Sequence, residues 1–138
     1  MQVRAARFEE LPIAAAIYQQ VLRETFTWLP ASSHNAQDFL DWAREEEVYV
    51  AVEAGRILGV AAFFRPSNFI HSLYVAERGR GVGRALLGHL QSVADGPLSL
   101  KCQTANRRAQ AFYRREGFRV VEEGADPPPG VPWLRMRR

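Results

Sequence analysis

The run Leu73-Tyr74-Val75-Ala76-Glu77-Arg78-Gly79-Arg80-Gly81-Val82-Gly83-Arg84-Ala85-Leu86-Leu87 decides how this chain is read. It passes from an apolar, strand-like segment through a turn with three glycines and three arginines. It then enters a segment with helical spacing. Glycine lets the backbone approach a ligand closely and take torsions that a Cβ forbids. N–H groups at a helix start lack intrahelical partners and attract phosphate oxygens, and the helix dipole helps. Arg78, Arg80 and Arg84 add positive charge at the same end. In chemical terms this is a pyrophosphate cradle. A bland glycine-rich surface turn is the competing reading, and the strand–turn–helix context with its arginines weighs against it. Two common nucleotide motifs fail. A P-loop needs Gly-Lys followed by Ser or Thr, whereas Gly83 is followed by Arg84 and Ala85. A dinucleotide fingerprint starting at Gly79 needs glycine where Arg84 stands.

Working outward, the period changes along the chain. Val3–Arg7 reads as a short strand. Glu9, Glu10 and Pro12 fit a helix start, and Ile13, Ile17 and Val21 follow at helical spacing. Ser32, Ser33 or Asn35 can cap a second helix carrying Phe39, Leu40 and Trp42. Val48–Glu53, Ile57–Arg65 and Phe69–Val75 alternate like strands, with turns at Ala54-Gly55 and Pro66-Ser67-Asn68. Gly81–Ala94 is expected to be a helix and Leu98–Cys102 a strand. Asn106–Glu116 is a helix closed by Gly117. Phe118–Glu122 is a strand, Asp126–Pro132 a proline-rich loop, and Trp133–Arg137 a last strand. Hairpins come first and crossover helices follow, which predicts a mixed α/β sheet in one domain over residues 1–138.

The composition sets the class. A chain of 138 residues with 47% hydrophobic and 24% charged residues suits one soluble domain with one core. No apolar run is long enough to cross a bilayer, and the start shows no apolar signal-peptide core. One cysteine, Cys102, allows no internal disulfide, and no Cys/His cluster has metal-ligand spacing. A metal-free protein of the reducing cytoplasm is expected. The net charge of +3 is divided unevenly. Residues 1–64 hold five Arg against nine Asp/Glu, and residues 65–138 hold thirteen Arg/Lys against six Asp/Glu. The basic half suits an anionic partner. Nucleic acid is one such anion, but no recognised nucleic-acid motif accompanies the charge.

Arg78-x-x-Gly81-x-Gly83 resembles the acyl-CoA pyrophosphate motif of the GNAT acetyltransferase superfamily, as do the flanking Leu73-Tyr74-Val75 and Leu86-Leu87. A second block, Asn106-Arg107-Arg108-Ala109-Gln110-Ala111-Phe112-Tyr113-Arg114-Arg115-Glu116-Gly117-Phe118, is similar to that superfamily's next motif. The resemblance covers about residues 47–123. It implies a GNAT-like fold: a twisted, mostly antiparallel mixed sheet of six to seven strands, splayed at the strand ending near Val75 and flanked by about four helices. It implies acetyl-CoA as co-substrate, held by Leu73, Tyr74, Val75, Arg78, Gly79, Arg80, Gly81, Val82, Gly83, Arg84, Asn106, Ala109 and Tyr113. It further implies that backbone groups of Leu73 and Val75 pair with the pantetheine arm, and that the Val75 N–H steadies the oxyanion. Asn106 would bond the arm, and Tyr113 would protonate the leaving thiolate.

The acceptor side is less determined. An alkylammonium must lose a proton before it can attack. His71, in His71-Ser72-Leu73-Tyr74-Val75, resembles the histidine of arylalkylamine acetyltransferases and is the candidate base. Glu53 and Glu123 are weaker candidates, and His34 lies in the acceptor region. Phe26, Trp28, Trp42, Tyr74 and Trp133 offer aromatic walls or core. The expected activity is N-acetylation of a primary amine of a small molecule or peptide, by direct attack in a ternary complex. A non-catalytic acyl-CoA-binding module and a basic nucleic-acid-binding domain are the other readings. A homodimer through Trp133–Arg137 requires that strand to lie at a sheet edge.

Overall fold

In the computed structural model, residues 1–30, 35–128 and 130–138 are described. Strand β1 (Gln2–Ala5) leads through a 3-10 turn into helix α1 (Leu11–Thr25), and α2 (Ala36–Ala43) follows. Next come strands β2 (Glu47–Glu53), β3 (Arg56–Phe64) and β4 (Phe69–Val75). Helix α3 (Val82–Val93), β5 (Ser99–Gln103), α4 (Arg107–Arg115), β6 (Arg119–Ala125) and β7 (Pro132–Arg137) complete the order. The cap of α2 is Asn35, whose side chain accepts the Gln37 N–H at 2.9 Å. Ser32, Ser33 and His34 lie outside the described residues.

The strands form one sheet in the order β1-β2-β3-β4-β5-β7-β6. Every neighbouring pair is antiparallel except β4 with β5. This corrects the expectation for the last strand. Trp133–Arg137 is not at an edge: β7 pairs with β5 on one side and β6 on the other, so β6 is the edge. The chain passes β5's neighbour position and returns to it, a placement that strand alternation alone does not encode.

Alternation along the strands divides the apolar residues between two faces. On one face Leu86, Leu87 and Leu90 of α3 pack with Ala51, Ala61, Leu100 and Met136. On the other, Ala14, Ala15 and Tyr18 of α1 and Phe39 of α2 pack on Val48, Val50, Val60 and Ala62. The β3–β4 pairing carries a bulge: Ala62 faces Ser72 and Phe63 faces Ile70, so His71 has no register partner on β3. A bulge of this kind re-aims side chains and bends the strand. At the far end, Arg65 grips Glu47 through two nitrogens and donates to the Val93 carbonyl at 2.6 Å. That guanidinium ties the β3–β4 turn to the end of α3 and holds the Glu47 carboxyl below its ordinary range. Among the described residues no helix is long and apolar enough to cross a membrane.

Gly59 sets how closely α3 sits on the sheet. A Cβ there would meet Val82 Cγ1 at 2.7 Å and the Tyr74 carbonyl oxygen at 3.1 Å. Gly59→Ala is therefore expected to cost about 1–3 kcal/mol by overpacking, read as a lowered denaturation midpoint with an unchanged slope.

Candidate active site

Strands β4 and β5 meet only at Phe69–Ser99 and Ile70–Leu100. Beyond Ile70 they part, and the gap opens into a cleft of about 940 Å³. The cleft runs through the sheet. One wall is the start of α3 together with α4, and the other is α1 with Trp42 of α2. The Ala76 N–H donates to the Leu58 carbonyl at 2.9 Å. Alternation along β4 then turns the Tyr74 N–H toward β3, and the N–H groups of Leu73 and Val75 toward the gap. The Leu73 and Val75 side chains pack against the α3-side core. Their side chains are thus structural while their backbone stays available.

The glycine-rich turn lies at one end of the cleft, which Arg78, Gly79, Gly81, Val82, Gly83 and Arg84 line. Gly81 is the N-cap of α3 with φ of 72°, a left-handed torsion that favours glycine. The three arginines differ. Arg78 has no ion-pair partner among the described residues, and Arg84 is largely exposed with Glu116 at 3.8 Å. Arg80 pairs with Glu53 and with Glu77 (3.3 Å) and does not line the cleft. Any contribution of position 80 to a ligand in the cleft therefore falls to its backbone.

The second motif forms the wall opposite β4. Asn106 caps α4, its side-chain oxygen accepting the Ala109 N–H at 3.2 Å. Its amide nitrogen remains free to donate, and Asn106 and Ala109 both line the cleft. Gln110 secures the approach by donating to the Thr104 carbonyl at 2.7 Å. Tyr113 is 9% exposed, with its ring edge-on to Phe112 and Phe118. It belongs to the core and lines the cleft as well. Among the described residues its hydroxyl has no hydrogen-bond partner. Burial, and then the nearby Cys102 and Tyr74, push the phenol well above its ordinary value, so it stays protonated at neutral pH. Cys102 also lines the cleft, and burial lifts its thiol to about 11.

His71 lines the cleft on the acceptor side. Its Nδ1 lies 2.6 Å from Glu46 Oε1, and its ring lies against Trp42 with centroids 4.3 Å apart. Glu46 sits in the acidic run Glu45-Glu46-Glu47, which as sequence looks like solvated charge. Only the bulge at His71 and the turn after α2 bring the two side chains together. Of the expected aromatics, Phe26, Trp42 and Tyr74 line the cleft, and Tyr18 joins them. Trp133 lies away from it, with Lys101 Nζ 4.3 Å from its ring centroid. Trp28, in the segment after α1, ties that segment to the end of β5, its indole N–H donating to Gln103 at 3.0 Å. Neither weaker base candidate is in the cleft. Glu53 pairs with Arg80, and Glu123 is exposed on the edge strand β6. His34 lies outside the described residues.

Solved structures share this architecture. YjaB of Escherichia coli, in its apo form, superposes with a TM-score of 0.80 at 26% identity, covering 99% of this chain and 95% of that one. Ribosomal-protein-alanine N-acetyltransferase of Brucella melitensis gives 0.72 at 25% identity, covering 100% and 99%. The fold of yncA from Salmonella typhimurium, solved with its cofactor acetyl-CoA, gives 0.72 at 20% identity, covering 99% and 92%. An uncharacterized protein of Mycobacterium leprae is 46% identical over 55 residues, which are 38% of this chain and 15% of that protein's length. The model of the acetyltransferase (GNAT) family matches residues 14–118, and with that span, this sheet and this cleft the chain belongs to the GNAT acetyltransferases.

Proposed function

We propose that the protein transfers the acetyl group of acetyl-CoA to a primary amine by direct attack in a ternary complex, acting as one domain over residues 1–138. The observation that carries this reading is the broken β4–β5 pairing, which leaves the Leu73 and Val75 N–H groups facing a cleft. An extended amide-bearing arm bonds to such an edge as a strand would. The free amide of Asn106 faces it from the other wall. At the open end, the N–H groups around Gly81–Gly83 and the charge of Arg78 and Arg84 suit a pyrophosphate. The free thiol of Cys102 suits a reducing cytoplasm, where we place the protein.

His71 is the base in this reading. With Nδ1–H donated to Glu46, the neutral ring keeps its lone pair on Nε2 and takes one proton from the incoming ammonium. The amine nitrogen bonds to the carbonyl carbon, and the Val75 N–H steadies the developing oxyanion. The C–S bond then breaks, and the sulfur takes the phenolic proton of Tyr113. The phenolate recovers a proton from the nitrogen as it becomes an amide.

Melting with and without acetyl-CoA tests the cofactor. At one hundred times the dissociation constant the fold should gain about 2.7 kcal/mol. A shift with acetyl-CoA and none with NAD or ATP supports the reading, and no shift with acetyl-CoA removes it. Tyr113→Phe should lower kcat by roughly a hundredfold or more while acetyl-CoA affinity stays within a few-fold. A non-catalytic acyl-CoA module would show no thiol release to lose. His71→Gln should lower kcat at neutral pH by a similar factor, with rate recovered as rising pH supplies free amine. An unchanged kcat in that variant would return the role of base to water.

A further inference from the structure

Beside the cleft lies a second cavity of about 390 Å³, and the two share Trp42, Phe69 and His71 as a common wall. We propose that this cavity is a cation subsite for the acceptor, and that the preferred acceptors are linear diamines. One amine meets His71 in the cleft while the other, as an ammonium, sits beyond Trp42. The proposal rests on the acetyl-transfer reading and names its substrate class.

Charge is the first argument. Asp41, Glu45 and Glu46 line the second cavity, and no lysine or arginine does. Glu10, Glu47, Glu53, Glu77, Glu116 and Glu122 each have an arginine within ion-pair distance, whereas Glu9, Glu24, Asp38, Asp95, Glu123 and Asp126 have none among the described residues but do not line this cavity. Among the described residues Asp41, Glu45 and Glu46 have none; Asp41 instead accepts from Gln37 at 3.0 Å. Arg135 lies over the Phe69 ring at 5.9 Å but is held by Glu122 at 3.4 Å.

The second argument is the burial of one of these carboxylates rather than their number. The Glu46 side chain is 10% exposed, and its Oε2 has no hydrogen-bond partner. A buried carboxylate whose only partner is an imidazole is costly, and a cation in the adjoining cavity offsets that cost. Trp42 and Phe64 are partly exposed, and with Phe69 they present rings to the same space. Ring faces attract ammonium groups. Among the described residues no three acidic, His or Cys side chains converge closely enough to hold a metal ion. Dispersed carboxylates with aromatic rings fit an organic cation instead.

The experiment compares diaminopentane with pentylamine by thiol release at fixed acetyl-CoA. It adds calorimetric binding of diaminopentane to the protein saturated with CoA. We expect kcat/KM for the diamine to exceed that of the monoamine by about tenfold at low ionic strength, with the ratio falling as salt rises. Asp41→Asn with Glu45→Gln, on exposed side chains, should cut that ratio roughly fivefold and weaken diamine binding. A ratio near unity in the wild type overturns the proposal. So does an unchanged ratio in a double variant that melts as the wild type does. If the diamine binds through these carboxylates yet neither amine is acetylated, the subsite stands as a diamine site and the transfer reading fails.

Discussion

The missing hydrogen bonds between β4 and β5 are the constraint on which the rest depends. Backbone N–H and C=O groups inside a protein demand partners, and a sheet ordinarily supplies them. Here the two strands are joined at one end only. The Ser99 N–H donates to the Asn68 carbonyl at 3.0 Å, and Asn68 itself donates to Asp95 at 2.9 Å. β5 cannot swing in to close the gap, because β7 holds it along its whole length from Ser99 to Gln103. Trp28 and Gln110 fix the far end of β5 through Gln103 and Thr104. The edge of β4 stays open because its would-be partner is committed elsewhere. A ligand with its own amides can complete it.

Charge then distinguishes the cleft from the cavity beside it. Arg78, Arg84, Lys101, Arg108 and Arg115 line it against Glu77 and Asp126, whereas the neighbouring cavity carries carboxylates alone. His71 stands on the wall between the basic and the acidic space. Its place there follows from the bulge opposite Ala62–Phe63, since a regular ladder would pair it with β3. The arginines of the turn do not act as a block. Glu53 and Glu77 claim Arg80 and so attach the turn to the end of β2. Such exposed pairs contribute little stability, but they leave Arg78, which has no ion-pair partner among the described residues, and the largely exposed Arg84 as the charges of the turn that line the cleft.

How far the sequence reached follows from where the relevant information lies. The strand–turn–helix around Gly81 and the helix start at Asn106 are local, set by a few neighbouring residues, and they were legible; the cap of α2 was legible only as Ser32, Ser33 or Asn35, and it is Asn35. The strands at Val48–Glu53, Ile57–Arg65 and Phe69–Val75 were legible from their period too, whereas the division of their residues between two faces emerges only with the helices packed on each. Strand order was not: Trp133–Arg137 alternates in the same way whether it ends a sheet or fills a gap in one. The partnership of Glu46 with His71 spans 25 positions and depends on a bulge, which leaves no mark in periodicity. The fate of Arg80 likewise depends on Glu53, 27 positions away. Long-range pairing of charged side chains escapes any reading along the chain.

The second motif shows why packing and function need not compete for the same residue. The oxygen of Asn106 is spent on the Ala109 N–H, as an ordinary helix cap requires. Its amide hydrogens remain free to meet a carbonyl, while the cap fixes the orientation of the side chain that presents them. Tyr113 is divided in the same way. Its ring is held by Phe112 and Phe118 in the core, while its hydroxyl has no hydrogen-bond partner among the described residues. The burial that makes the ring a good core residue also pushes the phenol above its ordinary value. In the proposed transfer a phenol raised in this way is a weaker acid than a thiol, so its proton passes to the departing sulfur only as the nitrogen returns one, and the packing that anchors α4 would hold the hydroxyl in place for that relay.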